Sequence, residues 1–347
     1  MAAYAFEVHH RIRRDVPDDY ARTATSLTRC ADVAAIQFGD GIWGGTDGES
    51  VLDFMRALSL PAVVTFHTLP VEPSEREREI VTELVESARA AVVMCNAAAA
   101  LLRTGYGIDR DLVEVIPYGV PDLPIMPAET IKPSVTLGGR DVILSFGLLA
   151  PGKGYELVID ALPAIIKAHP NAIYVIVGAT HPDVRLRDGE AYRISLASRA
   201  AKLKVADHVR FVPEFVGRVE LARWVQAADV FVTPTTNLGS MVSGTVSFAM
   251  ATGRAIVSTA YPYASELLAD RRGVVVAEPT SAALGAEIIR LLGDEPARLA
   301  MGALAHEHSR RAAWTKVGTT YQELFARVAA DGPIATRGRK MVGTVRG

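Results

Sequence analysis

Residues 141–162 read DVILSFGLLAPGKGYELVIDAL, and this stretch decides the fold class. An apolar run of strand length is followed by a glycine-containing turn with Lys153, and then by a helical pattern. Backbone N–H groups at a helix start and a lysine ammonium can together hold phosphate oxygens. The turn therefore predicts an anion site, although a capped surface loop with a solvated lysine has the same local sequence.

Short apolar runs alternate with helical patterns along the chain, which is typical of an α/β fold built on parallel sheets. The first third contains four predicted strands, at 33–38, 62–67, 91–95 and 113–117. The later series contains six predicted strands, which read DVILSFG, AIYVIVG, VRFVP, VFVTPT, AIVST and GVVVA. Six strands are enough for a complete doubly wound unit.

A loop rich in proline at 120–135 is the predicted domain boundary. We expect an N-terminal Rossmann-like domain over 1–125 and a C-terminal one over 136–295. Further helices are predicted over 296–330, packing back toward the N-terminal domain, and 331–347 has the composition of a loose tail.

Composition excludes several classes of function. The 347 residues are 49% hydrophobic and 22% charged, with a net charge of −2 and no long basic block. This charge distribution does not indicate nucleic acid as a partner, and it favours a small neutral or anionic ligand. Cys30 and Cys95 are the two cysteines and have no zinc-binding spacing, so we expect a reducing, cytoplasmic setting. No run of apolar residues is long enough to span a membrane. Peripheral contact with a membrane surface stays open.

A second unusual stretch, SMVSGTVSFAMATGRAIV at 240–257, carries no charge in the first turns of its predicted helix. Ser240, Ser243, Gly244 and Thr245 precede or begin that helix. Capping explains one hydroxyl there but not the whole cluster. Hydroxyls, a glycine and free helix N–H groups suit a neutral sugar or a phosphate.

The order of the motifs carries a resemblance to a known family. VILSFGLLAPGKGYELVIDALPAI, YVIVGATHP, VRFVPEFVGRVELARWVQAADVFVTPT and SGTVSFAMATGRAIVSTAYPYASELLADRRGVVV follow one another. Together they resemble the donor-binding domain of family-four retaining glycosyltransferases, and VVTFHTLP and VVMCNAAAALLRTGYGIDRDLVEVIPYGVPD resemble their acceptor domain. The resemblance covers about residues 30–330 and implies the GT-B fold, with two Rossmann-like domains facing a cleft and the N-terminal one incomplete.

The sequence departs from the family pattern in three ways. The two glutamates of the family motif align with Ser240 and Phe248, so the carboxylate for the nucleotide ribose is replaced by a phenyl ring. The family arginine beside the phosphate-binding lysine aligns with Leu148, so its positive charge is missing here. Arg193 can supply that charge instead, and the alternative is that Arg193 forms a surface ion pair. The chain also begins near a helix rather than at the first strand, as expected of a truncated form, a short natural form or a chain completed by a partner.

The resemblance implies a set of site residues. The catalytic candidates are Lys153, which would contact the leaving phosphate, and His67, which would contact the donor sugar. The alternative for His67 is a structural role at the end of a strand, with its side chain hydrogen-bonded to the backbone. Candidates for binding the donor or its phosphates are Gly147, Gly152, Ser240, Ser243, Gly244, Thr245, His181 and Arg193. Acceptor-side candidates are Asp40, Gly41 and Trp43, in a segment that also reads as a plain tight loop. No metal site is predicted, because the D-x-D triplet at 109–111 has the character of a solvated turn.

These features predict a retaining hexosyltransferase that uses a nucleotide-activated sugar and needs no cofactor or metal. Its acceptor is a carbohydrate, a lipid or a small molecule, and its oligomeric state is open. Two alternatives remain at this stage. One is a glycoside phosphorylase that uses phosphate or a sugar 1-phosphate, and the other is a non-catalytic binding protein or a subunit completed in trans.

Overall fold

The computed structural model describes residues 10–39, 41–108 and 110–332, and these residues divide into two compact units. The first unit contains the described residues of 10–93, 99–115 and 320–332. The second contains 94–98 and 116–319. The chain therefore crosses between the units more than once. In the described residues no helix is long and apolar enough to cross a membrane.

The first unit is built on a parallel sheet of four strands in the order β1-β2-β3-β4. The strands are β1 (Ala34–Phe38), β2 (Ala62–Phe66), β3 (Ala90–Val93) and β4 (Val113–Val115). Its helices are α1 (Pro17–Leu27), α2 (Ser50–Ala57), α3 (Glu75–Glu86) and α4 (Asn96–Tyr106), the last of which begins in the second unit. Strands β2 and β3 are buried along their whole length, as apolar strands in parallel sheets commonly are.

The second unit contains a parallel sheet of six strands in the order β10-β9-β8-β5-β6-β7. The strands are β5 (Asp141–Phe146), β6 (Ala172–Val177), β7 (Val209–Val212), β8 (Val230–Thr233), β9 (Ala255–Thr259) and β10 (Val274–Val276). The sequence reverses direction through the sheet between β5 and β8. This is the doubly wound order whose ligands bind beyond the carboxyl ends of the strands at the reversal. The predicted α/β class is confirmed, with small differences in strand ends.

Ten further helices follow α4 in the described residues. They are α5 (Ala128–Ile131), α6 (Tyr155–Ala168), α7 (Pro182–Asp188), α8 (Ala191–Lys202), α9 (Arg218–Gln226), α10 (Gly244–Ala251), α11 (Pro262–Leu267), α12 (Ser281–Gly293), α13 (Glu295–Ser309) and α14 (Trp314–Asp331). Helix α14 ends in the first unit, where the Tyr321 hydroxyl lies 3.3 Å from Thr65 Oγ1 on β2. Helices α6 and α12 bury their apolar faces together with the inner strands of the six-stranded sheet.

Buried polar groups at the centre of the six-stranded sheet are paired. The Tyr174 hydroxyl donates to Ser145 Oγ at 2.9 Å, and Ser145 Oγ donates to the Val232 carbonyl at 2.6 Å. This chain of hydrogen bonds links neighbouring strands β6, β5 and β8 through their side chains. Because it lies in the core, leaving either hydroxyl unpaired would carry a desolvation penalty of about 1–3 kcal/mol.

A buried charge network fixes the segment before β5 to the amino end of the sheet. Lys132 is 2% exposed, and its ammonium lies 2.8 Å from Asp229 Oδ2 and also pairs with Glu129. Asp229 Oδ2 accepts the Val142 N–H at 2.7 Å. Nearby, the buried Arg254 guanidinium donates only to backbone carbonyls, and burial is the main cause that lowers its pKa to about 10. The proline-rich segment is thus tied down by charge as well as by packing.

Replacing Lys132 by methionine is expected to lower the free energy of unfolding of the second unit by about 3 kcal/mol, because it leaves the Asp229 carboxylate buried without its closest cation. Urea denaturation followed by circular dichroism measures the change. The double variant Lys132→Met/Asp229→Asn should recover part of the loss, and Lys167→Met, at an exposed lysine on α6, should have little effect. An unchanged midpoint for Lys132→Met would show that the pair contributes nothing net.

Candidate functional site

The second unit has a cavity of about 260 Å³ at the carboxyl ends of β5 and β8, where the sheet order reverses. Its wall is formed by the turn after β5, the first residue of α6, the segment after β8 and the start of α10. Seven residues singled out in the sequence line it: Gly147, Gly152, Lys153, Ser240, Ser243, Gly244 and Thr245. The fold therefore gathers the two unusual stretches of sequence around one space.

Two glycines allow the loops of this cavity to approach closely. At Gly154, which precedes α6 with φ +71°, a Cβ atom would lie 1.9 Å from the Pro234 carbonyl oxygen after β8. At Gly178, which follows β6, a Cβ atom would lie 2.0 Å from the Gly147 carbonyl oxygen. Real Cβ atoms do not come this near to backbone oxygen, so any other residue would push the loops apart. In the sequence alone, these two glycines look like ordinary turn residues.

The Gly152 carbonyl joins the turn after β5 to the loop after β8. It accepts hydrogen bonds from the Thr236 N–H at 2.9 Å, the Thr235 hydroxyl at 3.0 Å and the Thr236 hydroxyl at 3.2 Å. Thr235 also lines the cavity, as does Asn237 two residues later. These contacts fix the backbone of the turn that carries Lys153.

The first turn of α10 faces the cavity with unused N–H groups. Ser243 is the N-cap, and its hydroxyl accepts the Val246 N–H at 3.4 Å and lies 3.0 Å from the Thr245 hydroxyl. Within the described residues, the N–H groups of Gly244 and Thr245 have no hydrogen-bond partner. Unpaired N–H groups and the positive end of the helix dipole favour an anion at this position.

Lys153 is the one charged side chain that lines the cavity in the described part of the chain. Its ammonium forms no ion pair with any described residue, and partial burial lowers its pKa. None of the described residues places a carboxylate in the wall beside it. A cation held in such surroundings is not neutralised by the protein, so an anionic ligand is the natural counter-charge.

The two residues that replace the family glutamates differ in their relation to the cavity. Ser240 lines the cavity, and its hydroxyl donates to the Val242 carbonyl at 2.8 Å. Phe248 is 9% exposed and packs edge-on against Phe146, with ring centroids 5.6 Å apart. The Phe248 ring thus supports the wall from inside the core and does not itself line the cavity.

Two sequence-predicted residues do not line the cavity. The His181 ring nitrogen Nδ1 accepts the Asp183 N–H at 3.3 Å and so caps α7. The Arg193 guanidinium donates to Thr180 Oγ1 at 3.1 Å, and its Nε lies 3.3 Å from Glu190 Oε2. Both residues hold the loop after β6, which lies against the turn after β5 through the hydrogen bond from the His181 N–H to Leu149.

His67 follows β2 in the first unit, and its N–H donates to the Phe38 carbonyl at 2.7 Å. The ring atom Nε2 lies 2.7 Å from Gln37 Oε1, and burial lowers the pKa of the imidazole. His67 is therefore neutral near pH 7 and has a side-chain partner. Gly41 and Trp43 line a separate cavity in this unit, whereas Asp40 lies outside the described residues, as does Asp109 of the D-x-D triplet.

Behind α10 lies a polar cluster whose contacts the sequence did not reveal. Glu266 accepts hydrogen bonds from the Asn96 and Ala97 N–H groups at 3.0 and 2.8 Å and caps the start of α4. The Tyr263 hydroxyl lies 2.6 Å from the Ser247 hydroxyl on α10. His308 lies near this cluster, and its Nε2 is buried without a hydrogen-bond partner among the described residues.

The fold and site define a class of protein: a two-unit α/β enzyme of the GT-B type. Residues 128–308 match the family model described as Glycosyl transferases group 1, and residues 44–122 match Glycosyltransferase Family 4. The chain belongs to the glycosyl transferases group 1 family, and it is a glycosyltransferase.

Individual proteins agree with this assignment. The D-inositol 3-phosphate glycosyltransferases of Jonesia denitrificans and Kineococcus radiotolerans are each 27% identical, over 80% and 72% of this chain. The alignments span 69% and 59% of those relatives' own lengths. The crystal structure of Anabaena HepE in complex with UDP has a TM-score of 0.73 at 17% identity, covering 88% of this chain and 82% of that one. This likeness confirms the predicted GT-B fold.

Acidification should destabilise the second unit partly through His308. Burial first, and then the charges of Arg311 and Arg272, lower the pKa of His308 from 6.5 to about 4. The unfolded chain therefore binds more protons than the folded protein between these values, and the stability that neutral His308 contributes is lost as the pH falls through that window. His308→Gln should show a smaller fall in melting temperature between pH 7 and pH 4.5, measured by differential scanning fluorimetry. The exposed His10→Gln serves as control, and identical pH profiles for wild type and His308→Gln would contradict the expectation.

Proposed function

We propose that this glycosyltransferase moves a hexosyl group from a nucleotide-activated sugar to an acceptor hydroxyl, with retention of configuration at the anomeric carbon and without a metal ion. The observation that carries the proposal is the cavity at the sheet reversal, where unpaired Lys153 and the unused N–H groups of α10 face the same space. HepE, which shares the fold, is known in complex with UDP. A nucleoside diphosphate supplies the negative charge that the cavity of this chain lacks.

The chemistry needs charge stabilisation more than proton transfer. The bond between the anomeric carbon and the phosphate oxygen breaks, and its electron pair leaves with the diphosphate. The acceptor oxygen forms the new bond to the anomeric carbon, and its proton passes to a phosphate oxygen of the leaving group. Lys153 and the Gly244 and Thr245 N–H groups are placed to stabilise the charge that develops on that phosphate.

A specific observation favours a second candidate, a glycoside phosphorylase. In the part of the chain that the structure describes, no carboxylate lines the cavity to accept hydrogen bonds from ribose hydroxyls, and Phe248 is packed into the core. Inorganic phosphate or a sugar 1-phosphate would use Lys153 and α10 without needing that carboxylate.

Calorimetry against UDP, GDP and ADP, their hexose conjugates, glucose 1-phosphate and phosphate separates the two functions. Binding of a nucleoside diphosphate supports the transferase, and binding of phosphates alone supports the phosphorylase.

The Lys153→Ala variant should bind the nucleoside diphosphate at least tenfold more weakly, because it removes the single cation of the cavity wall. Isothermal titration calorimetry measures the affinity, with the melting temperature as a check on folding. Lys167→Ala removes an exposed lysine from the far end of α6 and should bind like the wild type. Equal affinities for Lys153→Ala and wild type would remove Lys153 from the site.

Replacing His67 by alanine should lower turnover more than donor affinity. The resemblance to the family gives this histidine a contact with the donor sugar, and its lowered pKa makes it a neutral hydrogen-bonding group at pH 7. Steady-state kinetics gives the turnover number, and calorimetry on the same preparation gives the affinity for the donor. Proton NMR of the product tests retention by reporting its anomeric configuration. If turnover survives in His67→Ala, the contacts of His67 with Gln37 and Phe38 are only structural.

A further inference from the structure

Tyr155, the first residue of α6, brings a hydroxyl group to the cavity of the second unit. Its side chain is only 3% exposed and belongs to the same hydrophobic core cluster as Val158, Ile159 and Leu162. The four residues follow the i, i+3, i+4, i+7 spacing of one helix face, which is the apolar face of α6. The core therefore holds the ring in place, while the hydroxyl end of the ring reaches the cavity.

The Tyr155 hydroxyl lies between the turn after β5 and the first turn of α10. A Cβ atom placed on Gly147 would lie 3.5 Å from this hydroxyl and 3.7 Å from Thr245 Cγ2. All three residues line the cavity. Because Gly147 has no side chain, the space between the hydroxyl and the start of α10 stays open. The Gly244 and Thr245 N–H groups, which have no partner among the described residues, are at that start.

Among the described residues, the Tyr155 hydroxyl has no hydrogen-bond partner. Burial raises the pKa of this phenol well above its usual value, and no hydrogen bond opposes the shift. Tyr261 also lines the cavity at 3% exposure, but hydrogen bonds with three neighbouring hydroxyl groups oppose the rise in its pKa. Buried tyrosine hydroxyls usually have a partner. The Tyr155 hydroxyl is thus an exception, and it is available to a ligand atom.

The groups beside the Tyr155 hydroxyl indicate which ligand atom it would meet. Its raised pKa keeps the phenol protonated near neutral pH, so it can donate a hydrogen bond. The Lys153 ammonium and the free N–H groups of α10 are donors as well, and none of the described lining residues carries a carboxylate. A phosphate group presents several acceptor oxygens in a small volume, so it can accept from all of these donors together.

We propose that Tyr155 is a binding residue of this cavity, and that its hydroxyl donates to an oxygen of the phosphate group that also accepts from Lys153 and the start of α10. That this phosphate belongs to a nucleotide-activated sugar rests on the proposed function. The phosphate supplies the partner that the protein itself does not give the hydroxyl. Because the phenol is neutral, it adds a hydrogen bond to the site without adding charge.

The substitution Tyr155→Phe tests the proposal, because it removes the hydroxyl and keeps the ring in the core. Isothermal titration calorimetry with inorganic phosphate, UDP, GDP and ADP measures affinity, and differential scanning fluorimetry without ligand measures the melting temperature. Tyr155→Phe should bind each probe that the wild type binds about tenfold more weakly. Its melting temperature should equal or exceed that of the wild type, because no hydrogen bond within the protein is lost.

Tyr106→Phe is the matched control. Tyr106 is a buried tyrosine of the first unit, and its hydroxyl donates to the Pro70 carbonyl at 2.8 Å. Removing that hydroxyl loses a hydrogen bond within the protein, so the melting temperature should fall while the affinity for every probe stays at the wild-type value. The two variants should therefore give opposite patterns of stability and binding.

Two results would overturn the proposal: Tyr155→Phe binds every probe as the wild type does, or its melting temperature without ligand falls as far as that of Tyr106→Phe. Lys153→Ala, measured beside them, separates this proposal from the proposed function. Binding of a nucleoside diphosphate that depends on Lys153 but not on Tyr155 keeps the transferase and rejects the role of Tyr155. Binding of inorganic phosphate alone, weakened in Tyr155→Phe, rejects the transferase and keeps that role. A wild type that binds no probe rejects both.

Discussion

The cavity of the second unit depends on one constraint, the close approach of backbone at the carboxyl ends of β5, β6 and β8. A Cβ atom at Gly154 or Gly178 would lie about 2 Å from a carbonyl oxygen of a neighbouring loop. Because neither residue has one, the turn after β5 can lie against the loops after β6 and β8. That contact sets the position of Lys153 and the distance from it to the first turn of α10. The site is thus a consequence of how the loops after β5, β6 and β8 pack. The hydroxyl groups that line it are carried by a backbone whose position this packing sets.

The charged side chains differ between the two cavities that lie at the carboxyl ends of β5 and β8 and of β1 and β2. Among the described residues, one ammonium and the free N–H groups of α10 face a space without a carboxylate in the second unit. The described residues that line a space of similar size in the first unit include Asp47, Glu77 and Arg14. Lys153 is exposed to solvent and has no ion-pair partner among the described residues, so its charge is available to an anionic ligand. The contrast in charge argues that the two spaces receive different chemical groups.

The sequence predicted the sheets well and the side-chain contacts less well. Buried parallel strands such as β5 are short apolar runs bounded by glycine, so their existence and order are readable. Alignment could place Phe248 at a ligand-binding position, but it could not show that the ring turns inward against Phe146. Nor could spacing show that Glu266 caps α4, because the partners are separated by 170 residues. Contacts of that kind depend on three-dimensional packing, which leaves no periodic trace in the chain.

The inward position of Phe248 bears on which interactions the cavity of the second unit can offer a ligand. Without a carboxylate, its wall offers one cation, helix N–H groups and neutral hydroxyls, all of which can donate hydrogen bonds to phosphate oxygens. In the transfer we propose, such groups would interact more strongly as negative charge accumulates on the leaving phosphate. They would then stabilise the transition state more than the bound ground state, which is the condition for accelerating a reaction. A ribose carboxylate would add binding that is equal in both states. On the proposed function, a core phenylalanine at this position would remove uniform affinity and leave Lys153 and the α10 N–H groups to stabilise charge.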